Sequence, residues 1–186
     1  MNRASDLALA ALLLPVVALP ALCVAVAVKA TSKGPVLYWS DRIGRNNRVF
    51  RMPKFRTMRL GTPTVATHLL GDARSALTPI GYLLRKTSLD EIPQLWSVLR
   101  GDMGFIGPRP ALFNQHDLIS MRTELGLHVM KPGITGLAQV EGRDALTIPD
   151  KVSLEARYLA QKSPELDLRI LVRTALRIFG DSSVSH

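Results

Sequence analysis

Between Asp6 and Lys29 the chain runs for 22 residues, Leu7 to Val28, without a charge. About 20 apolar residues in a helix match the hydrocarbon thickness of a bilayer. A chain of 186 residues has little interior in which to hide such a segment, so a membrane is its expected surrounding. Pro15 and Pro20 complicate a straight span. Each removes a backbone donor and crowds the carbonyl four residues back, which predicts a bend or break at one or both. Either arm alone is then too short to cross.

The flanking charges agree with a helix that turns back. Arg3 precedes the segment, and Lys29, Lys33, Arg42, Arg45 and Arg48 follow it; basic flanks resist translocation. The favoured reading is a re-entrant helix that enters and leaves by the cytoplasmic face. A simple span with a short N-terminal tail outside is the alternative. A cleaved leader fits poorly, because Leu22 before Cys23 is too large for a lipoprotein-type site.

The net charge of +9 calls for an anionic partner: nucleic acid, an anionic lipid surface or a phosphorylated substrate. Cys23 is the only cysteine, which excludes an internal disulfide and a thiolate metal cluster. His68, His116 and His128 have no ligand spacing, and Walker, dinucleotide-binding and nucleophile-elbow motifs are missing.

After Gly34-Pro35, Val36–Trp39 and Val49–Met52 read as strands of a hairpin around the turn residues Ile43–Asn47. Gly61 to Ser75 reads as a surface loop. A helix is expected from Thr78-Pro79, with Thr78 as its cap. Further helices are expected over Glu91–Leu99, Ala111–Leu125 and Ser153–Lys162, with loops at Gly104–Pro110 and Lys131–Gly136. The last helix starts at Pro164, where Leu166, Ile170, Ala175, Leu176 and Phe179 accompany Arg169, Arg173 and Arg177. Such paired apolar and basic stripes suit a helix lying on anionic lipid, as well as an ordinary surface helix.

The densest polar signal is Arg85-Lys86-Thr87-Ser88-Leu89-Asp90-Glu91-Ile92-Pro93-Gln94-Leu95. Ser88 and Glu91 have the spacing of a helix capping box, which explains the acids without chemistry. The chemical reading is that one carboxylate attacks phosphorus to form an acyl phosphate while an adjacent one helps hold Mg²⁺, which takes one or two carboxylates plus substrate phosphates. Arg85 would neutralise the migrating phosphate. Gly107-Pro108-Arg109-Pro110 fixes an arginine in a stiff loop, suited to phosphate oxygens. Lys54 and Arg56 fit either substrate contact or snorkelling at a lipid surface.

In order along the chain, these pieces resemble the bacterial sugar transferase family, the monotopic phosphoglycosyl transferases, in their small catalytic-domain-only form. The resemblance rests on the proline-containing N-terminal helix, Asp41-Arg42-Ile43-Gly44, Lys54-Phe55-Arg56-Thr57-Met58, Ser88–Leu95 and Gly101-Asp102-Met103. It continues through Gly107–Pro110, Lys131–Gly136 and Gln139-Val140-Glu141-Gly142-Arg143. It implies transfer of a sugar-1-phosphate from a UDP-sugar, expected to carry an N-acetylated amino sugar, to polyprenyl (undecaprenyl) phosphate with release of UMP. By this resemblance Asp90 is the nucleophile, Glu91 pairs with it at Mg²⁺, and Arg85, Arg109 and Lys54 surround the phosphates. Arg143 would approach the nucleotide, and Pro20 would break the membrane helix. Leu19 before Pro20 and Asp144 after Arg143 depart from the family's usual serine and asparagine.

The expected fold is α+β and mostly helical. A re-entrant membrane helix over 1–33 is integrated with a cytoplasmic catalytic domain over 34–186, built from a small β-hairpin and amphipathic interfacial helices. The expected location is the bacterial inner membrane, with the catalytic domain on the cytoplasmic face. Its lipid is then a partner, nucleic acid is not, and a homodimer is compatible with the sequence. The competing class is a non-catalytic basic scaffold that binds anionic lipid or nucleic acid and has no use for an Asp-Glu pair.

Overall fold

The computed structural model describes residues 1–63, 74–142 and 145–180, without the side chains of 178–180. Its architecture is α+β: seven α-helices and two small two-stranded sheets among the described residues. The apolar segment forms α1 (Arg3–Thr31), a single helix of 29 residues with both Pro15 and Pro20 inside it. It is long and apolar enough to cross a membrane.

The expected break at Pro20 is therefore corrected: neither proline ends the helix. The reason lies in what α1 packs against. Asp6, Ala10, Val24 and Val28 are buried, and Leu13, Val17 and Ala21 are half-buried. These seven positions follow one another at steps of three or four, the spacing of a single helical face. The stripe continues past both prolines, so contacts on either side hold the two arms in register. Leu12, Val16, Leu19, Leu22 and Val26 are exposed on the remaining surface.

Both ends of α1 are fastened to the same folded body. Near the start, the Arg3 guanidinium donates to the carbonyls of Val98 and Leu99, and Asp6 Oδ1 accepts from Phe105 N at 3.0 Å. Near the end, Val28 packs with Phe55 and Leu84, and Arg56 Nη2 donates to Ser32 Oγ at 2.9 Å.

The hairpin is longer than its sequence suggests. Strands β1 (Leu37–Ile43) and β2 (Val49–Phe55) pair antiparallel, with Trp39 opposite Pro53 and Tyr38 opposite Lys54. Pro53 is tolerated because both strands of a two-stranded sheet are edges. The 3₁₀ turn Arg45–Asn47 between them holds Asn46 and Asn47 at positive φ, which asparagine accepts more readily than most residues.

Helix α2 (Gly81–Lys86) begins later than expected, and Thr78 is not its cap; Thr78 Oγ1 instead donates to the carbonyl of Thr57. The expected helix over Glu91–Leu99 is divided. Leu89–Gln94 is 3₁₀, with Pro93 inside it, and α3 (Leu95–Arg100) follows directly.

Two segments read as loops contain short strands, β3 (Gly104–Ile106) and β4 (Gly133–Thr135), paired parallel. The two run so close that a Cβ on Gly133 would lie 2.1 Å from Gly107 N. Helix α4 (His116–Glu124) is shorter than the expected 111–125, because Leu112 forms a β-bridge with Arg42 instead. Helices α5 (Leu137–Glu141) and α6 (Ile148–Gln161) follow. The latter starts earlier than expected, with Thr147 as its cap.

The largest core cluster among the described residues joins α1, β2, α3, β3, α5, α6 and the last helix through Ala10, Met52, Val98, Met103, Phe105, Val140, Tyr158 and Ile170. Helix α7 (Pro164–Gly180) begins at Pro164 as expected. Two residues of its basic stripe also make contacts within the fold. Arg173 pairs with Glu141 at 2.5 Å and Arg177 donates to the carbonyl of Gln139, tying α7 to α5. Leu168, Val172 and Leu176 remain exposed.

Candidate active site

The capping-box reading of Ser88 fails on geometry. Ser88 sits in the left-handed region at φ 56° and makes no side-chain cap. The acids that follow therefore have no helix-cap partner. Asp90 is 7% exposed and lies in the 3₁₀ segment, which packs against β2.

Lys54, near the end of β2, reaches both carboxylates: its Nζ is 2.7 Å from Glu91 Oε1 and 4.0 Å from Asp90 Oδ2. Arg109 Nη2 holds the same Glu91 oxygen at 2.7 Å. Arg85 acts electrostatically on both acids while its Nε donates to Thr57 Oγ1 at 3.1 Å. Five of the residues expected from the sequence, Lys54, Arg85, Asp90, Glu91 and Arg109, thus converge. Arg143 lies outside the described residues.

The two adjacent acids are set apart by their surroundings. Burial raises the Asp90 carboxyl above its ordinary value and the Glu91 charge adds to this, against the opposing pull of Lys54. Burial opposes the Glu91 charge too, but Arg109 and Lys54 outweigh it and hold Glu91 well below the ordinary range. Glu91 is therefore the fixed anion of the cluster, and Asp90 the less engaged carboxylate. Two titratable groups driven apart in this way are characteristic of divided chemical roles.

The loop carrying Arg109 is pinned by four consecutive carbonyls. Pro108 O accepts from Gly133 N at 2.9 Å, Arg109 O from Arg122 Nη2 at 3.0 Å, Pro110 O from Arg42 Nη1 at 3.1 Å, and Ala111 O from Ile43 N at 2.9 Å. Pro108 and Pro110 have no N–H of their own, so the loop cannot satisfy itself by local turns. Its carbonyls are instead met from β4, α4 and β1. Arg122 is itself held bidentate by the buried Glu155 of α6, at 2.8 and 2.5 Å.

Arg42, Arg122 and Glu155 were not singled out as site residues from the sequence. Arg42 had a signal, since it lies within the Asp41-Arg42-Ile43-Gly44 motif. Its guanidinium is pushed down to about 10 by burial first and by Arg109 second, and it remains charged at neutral pH. Arg122 and Glu155 are 33 residues apart, and nothing local marks them as partners.

Among the described residues no three His, Cys, Asp or Glu side chains gather into a metal-binding group. The donor set nonetheless fits Mg²⁺, which completes its shell with substrate phosphates and water around one or two carboxylates. Lys54 and Arg109 both hold Oε1 of Glu91, so these ion pairs do not consume Oε2. Zn²⁺ or a soft metal would need imidazole or thiolate ligands that this cluster lacks.

Comparison with known proteins establishes the family. The chain is 39% identical to the UDP-glucose:undecaprenyl-phosphate glucose-1-phosphate transferase of Xanthomonas campestris pv. campestris, over 87% of this chain and 35% of that protein. It is 34% identical to the UDP-N-acetylgalactosamine-undecaprenyl-phosphate N-acetylgalactosaminephosphotransferase of Aeromonas hydrophila, over 97% of this chain and 44% of the relative. The chain thus spans less than half the length of these two relatives. The sugar transferase EpsL of Bacillus subtilis (strain 168), described as uncharacterized, is 36% identical over 100% of this chain and 91% of its own length. The bacterial sugar transferase family model matches residues 1–181, and the chain belongs to that family.

Proposed function

We propose that this chain moves a sugar-1-phosphate from a UDP-sugar to polyprenyl phosphate through a covalent intermediate on Asp90. The observation that carries the reading is the asymmetry of the buried pair: Glu91 is locked between Lys54 and Arg109 at 2.7 Å each, whereas the ion pair of Asp90 with Lys54 is at 4.0 Å. In the first step an Asp90 carboxylate oxygen attacks the sugar-bearing phosphorus. The bond to the bridging oxygen breaks and UMP leaves with that electron pair, giving an acyl phosphate. In the second, a phosphate oxygen of the polyprenyl phosphate attacks the same phosphorus. That step restores the Asp90 carboxylate and forms the polyprenyl diphosphate sugar.

Mg²⁺ bound by Asp90 and Glu91 would neutralise charge on the diphosphate. Lys54 and Arg85 offset the negative charge that gathers around Asp90, and Arg109 serves the phosphate oxygens from its pinned loop. Arg143 would contact the nucleotide. The relatives' names include glucose and N-acetylgalactosamine. An N-acetylated amino sugar is the donor in this reading.

The same reading places the protein on the bacterial inner membrane as a monotopic enzyme facing the cytoplasm. Support comes from α1 fastened at both ends to the catalytic body, with an exposed apolar face between. A lipid-borne acceptor accounts for a membrane helix and a phosphate site within one small fold.

The test is intact mass spectrometry after incubation with Mg²⁺ and UDP-glucose, UDP-galactose, UDP-N-acetylglucosamine or UDP-N-acetylgalactosamine, without acceptor. One donor should add the mass of its sugar phosphate and release UMP, and Asp90→Asn should abolish both. UMP release by Asp90→Asn at the wild-type rate would sink the covalent mechanism.

A further inference from the structure

We infer a second anion site, for a small phosphate-bearing group, in a cleft of about 280 Å³ beside the first turn of α1. Four cations from four separate segments line it: Arg3 in α1, Arg45 in the 3₁₀ turn, Lys131 before β4 and Lys162 after α6. None of them belongs to the Asp90 cluster.

Among the described residues Asp6 is the only carboxylate lining the cleft. It is 4% exposed, and its Oδ1 is committed to Phe105 N. The cleft therefore carries an excess of positive charge, and cations gathered around one space repel each other unless an anion offsets them.

Two of the cations are oriented in advance. Arg3 is held by the carbonyls of Val98 and Leu99, and Arg45 by its Nε on Val129 O at 2.9 Å. The left-handed Asn46 and Asn47 fix the turn on which Arg45 sits. Lys131 and Lys162 make no hydrogen bond or ion pair among the described residues, so their ammonium groups are available to a ligand.

Size narrows the ligand. Pockets for drug-sized molecules run from about 300 to 1,000 Å³, so this cleft suits a phosphate ester rather than a whole nucleotide sugar. Such a phosphate has two sources, a free anion and the head group of an anionic phospholipid. The lipid is the source the surroundings favour. The exposed apolar face of α1 begins at Leu7, directly after Asp6, and acyl chains lying along that face would bring a head group to Arg3.

The experiment is calorimetric titration of the full chain in neutral detergent. Ligands are short-chain dihexanoyl phosphatidylglycerol, dihexanoyl phosphatidylcholine and inorganic pyrophosphate. The variants are Lys131→Gln/Lys162→Gln and, separately, Arg45→Gln; far-UV circular dichroism and thermal melting confirm that each is folded. The double variant should bind phosphatidylglycerol at least tenfold more weakly and Arg45→Gln severalfold more weakly, while phosphatidylcholine binds weakly to all three. An equal loss for pyrophosphate assigns a general phosphate site, and an unchanged pyrophosphate affinity assigns the lipid head group. Wild-type affinity for both anions in the folded double variant would overturn the site. The titration needs no turnover, so it stands or falls apart from the transferase reaction.

Discussion

The guanidinium of Arg122 donates to the backbone carbonyl of Arg109 at 3.0 Å while its side chain is paired with the buried Glu155. A charge pair between α4 and α6 thus supports the loop whose own arginine holds Glu91. Among the described residues Arg122 makes no hydrogen bond or ion pair with Asp90 or Glu91. It is a positioning residue, and the loop is where its effect reaches the site.

The first prediction separates that role from plain stability. Arg122→Ala leaves Glu155 buried and unpaired and should cost about 3–5 kcal/mol. Replacing both partners with apolar residues, Arg122→Met/Glu155→Leu, should recover most of that in urea unfolding, because the buried pair is removed together. The Arg109 carbonyl still lacks its donor. Turnover should therefore stay about tenfold low in the stable double variant, equivalent to about 1.4 kcal/mol, with KM raised. Wild-type turnover in that variant would remove the positioning role.

The acid limb of the reaction should report Asp90. Its carboxyl is raised from the ordinary 3.8, first by burial, and only the carboxylate can attack phosphorus. Rates of covalent-adduct formation should consequently begin to fall at a pH above 3.8 as conditions become more acidic. Lys54 pulls the Asp90 value down, so Lys54→Met should move the limb to higher pH still. A limb that stays fixed in Lys54→Met would argue against Asp90 as the titrating nucleophile.

Glu91 makes the opposite contribution to stability. Its carboxyl is depressed well below 4.5, so folding favours the ionised form. The resulting stabilisation is fully present above the ordinary value and is lost as pH falls through the folded one. At pH 7 Glu91→Gln should be destabilised by about 3 kcal/mol, since Lys54 and Arg109 each lose an ion-pair partner. The gap from wild type should narrow as pH drops below 4.5. Chemical unfolding at pH 7 and pH 3.5 measures it, and a gap that widens in acid contradicts the assignment.

The attachment of both ends of α1 predicts one-sided accessibility. In a Cys23→Ala background, Ser5→Cys and Ser32→Cys should both react with a membrane-impermeant maleimide in inside-out vesicles. Neither should react in right-side-out vesicles. Opposite behaviour at the two positions would establish a span.

Much of the candidate site was legible locally. Asp90, Glu91, Arg85, Lys54 and Arg109 stand out by charge density or by neighbouring prolines, and the ordered motifs mark their family. The uncharged run from Leu7 to Val28 fixed the existence of α1, because helix formation and apolarity are properties of contiguous residues. Pro164 marked the start of α7 for the same reason. Local patterns did less well wherever a residue had a distant partner. Ser88 and Glu91 have capping-box spacing, yet Ser88 adopts a left-handed backbone and Glu91 turns to Lys54 and Arg109.

The tertiary structure decided the rest through contacts between residues far apart in the chain. It carried α1 through Pro15 and Pro20, because packing on both sides outweighs two missing backbone donors. It paired Arg173 and Arg177 with α5, and it drew Ala111 and Leu112 out of a predicted helix into bonds with β1. It also chose Arg42 and Arg122 to hold the Arg109 loop. A proline-flanked loop must find its donors elsewhere, and a linear pattern does not say where elsewhere is.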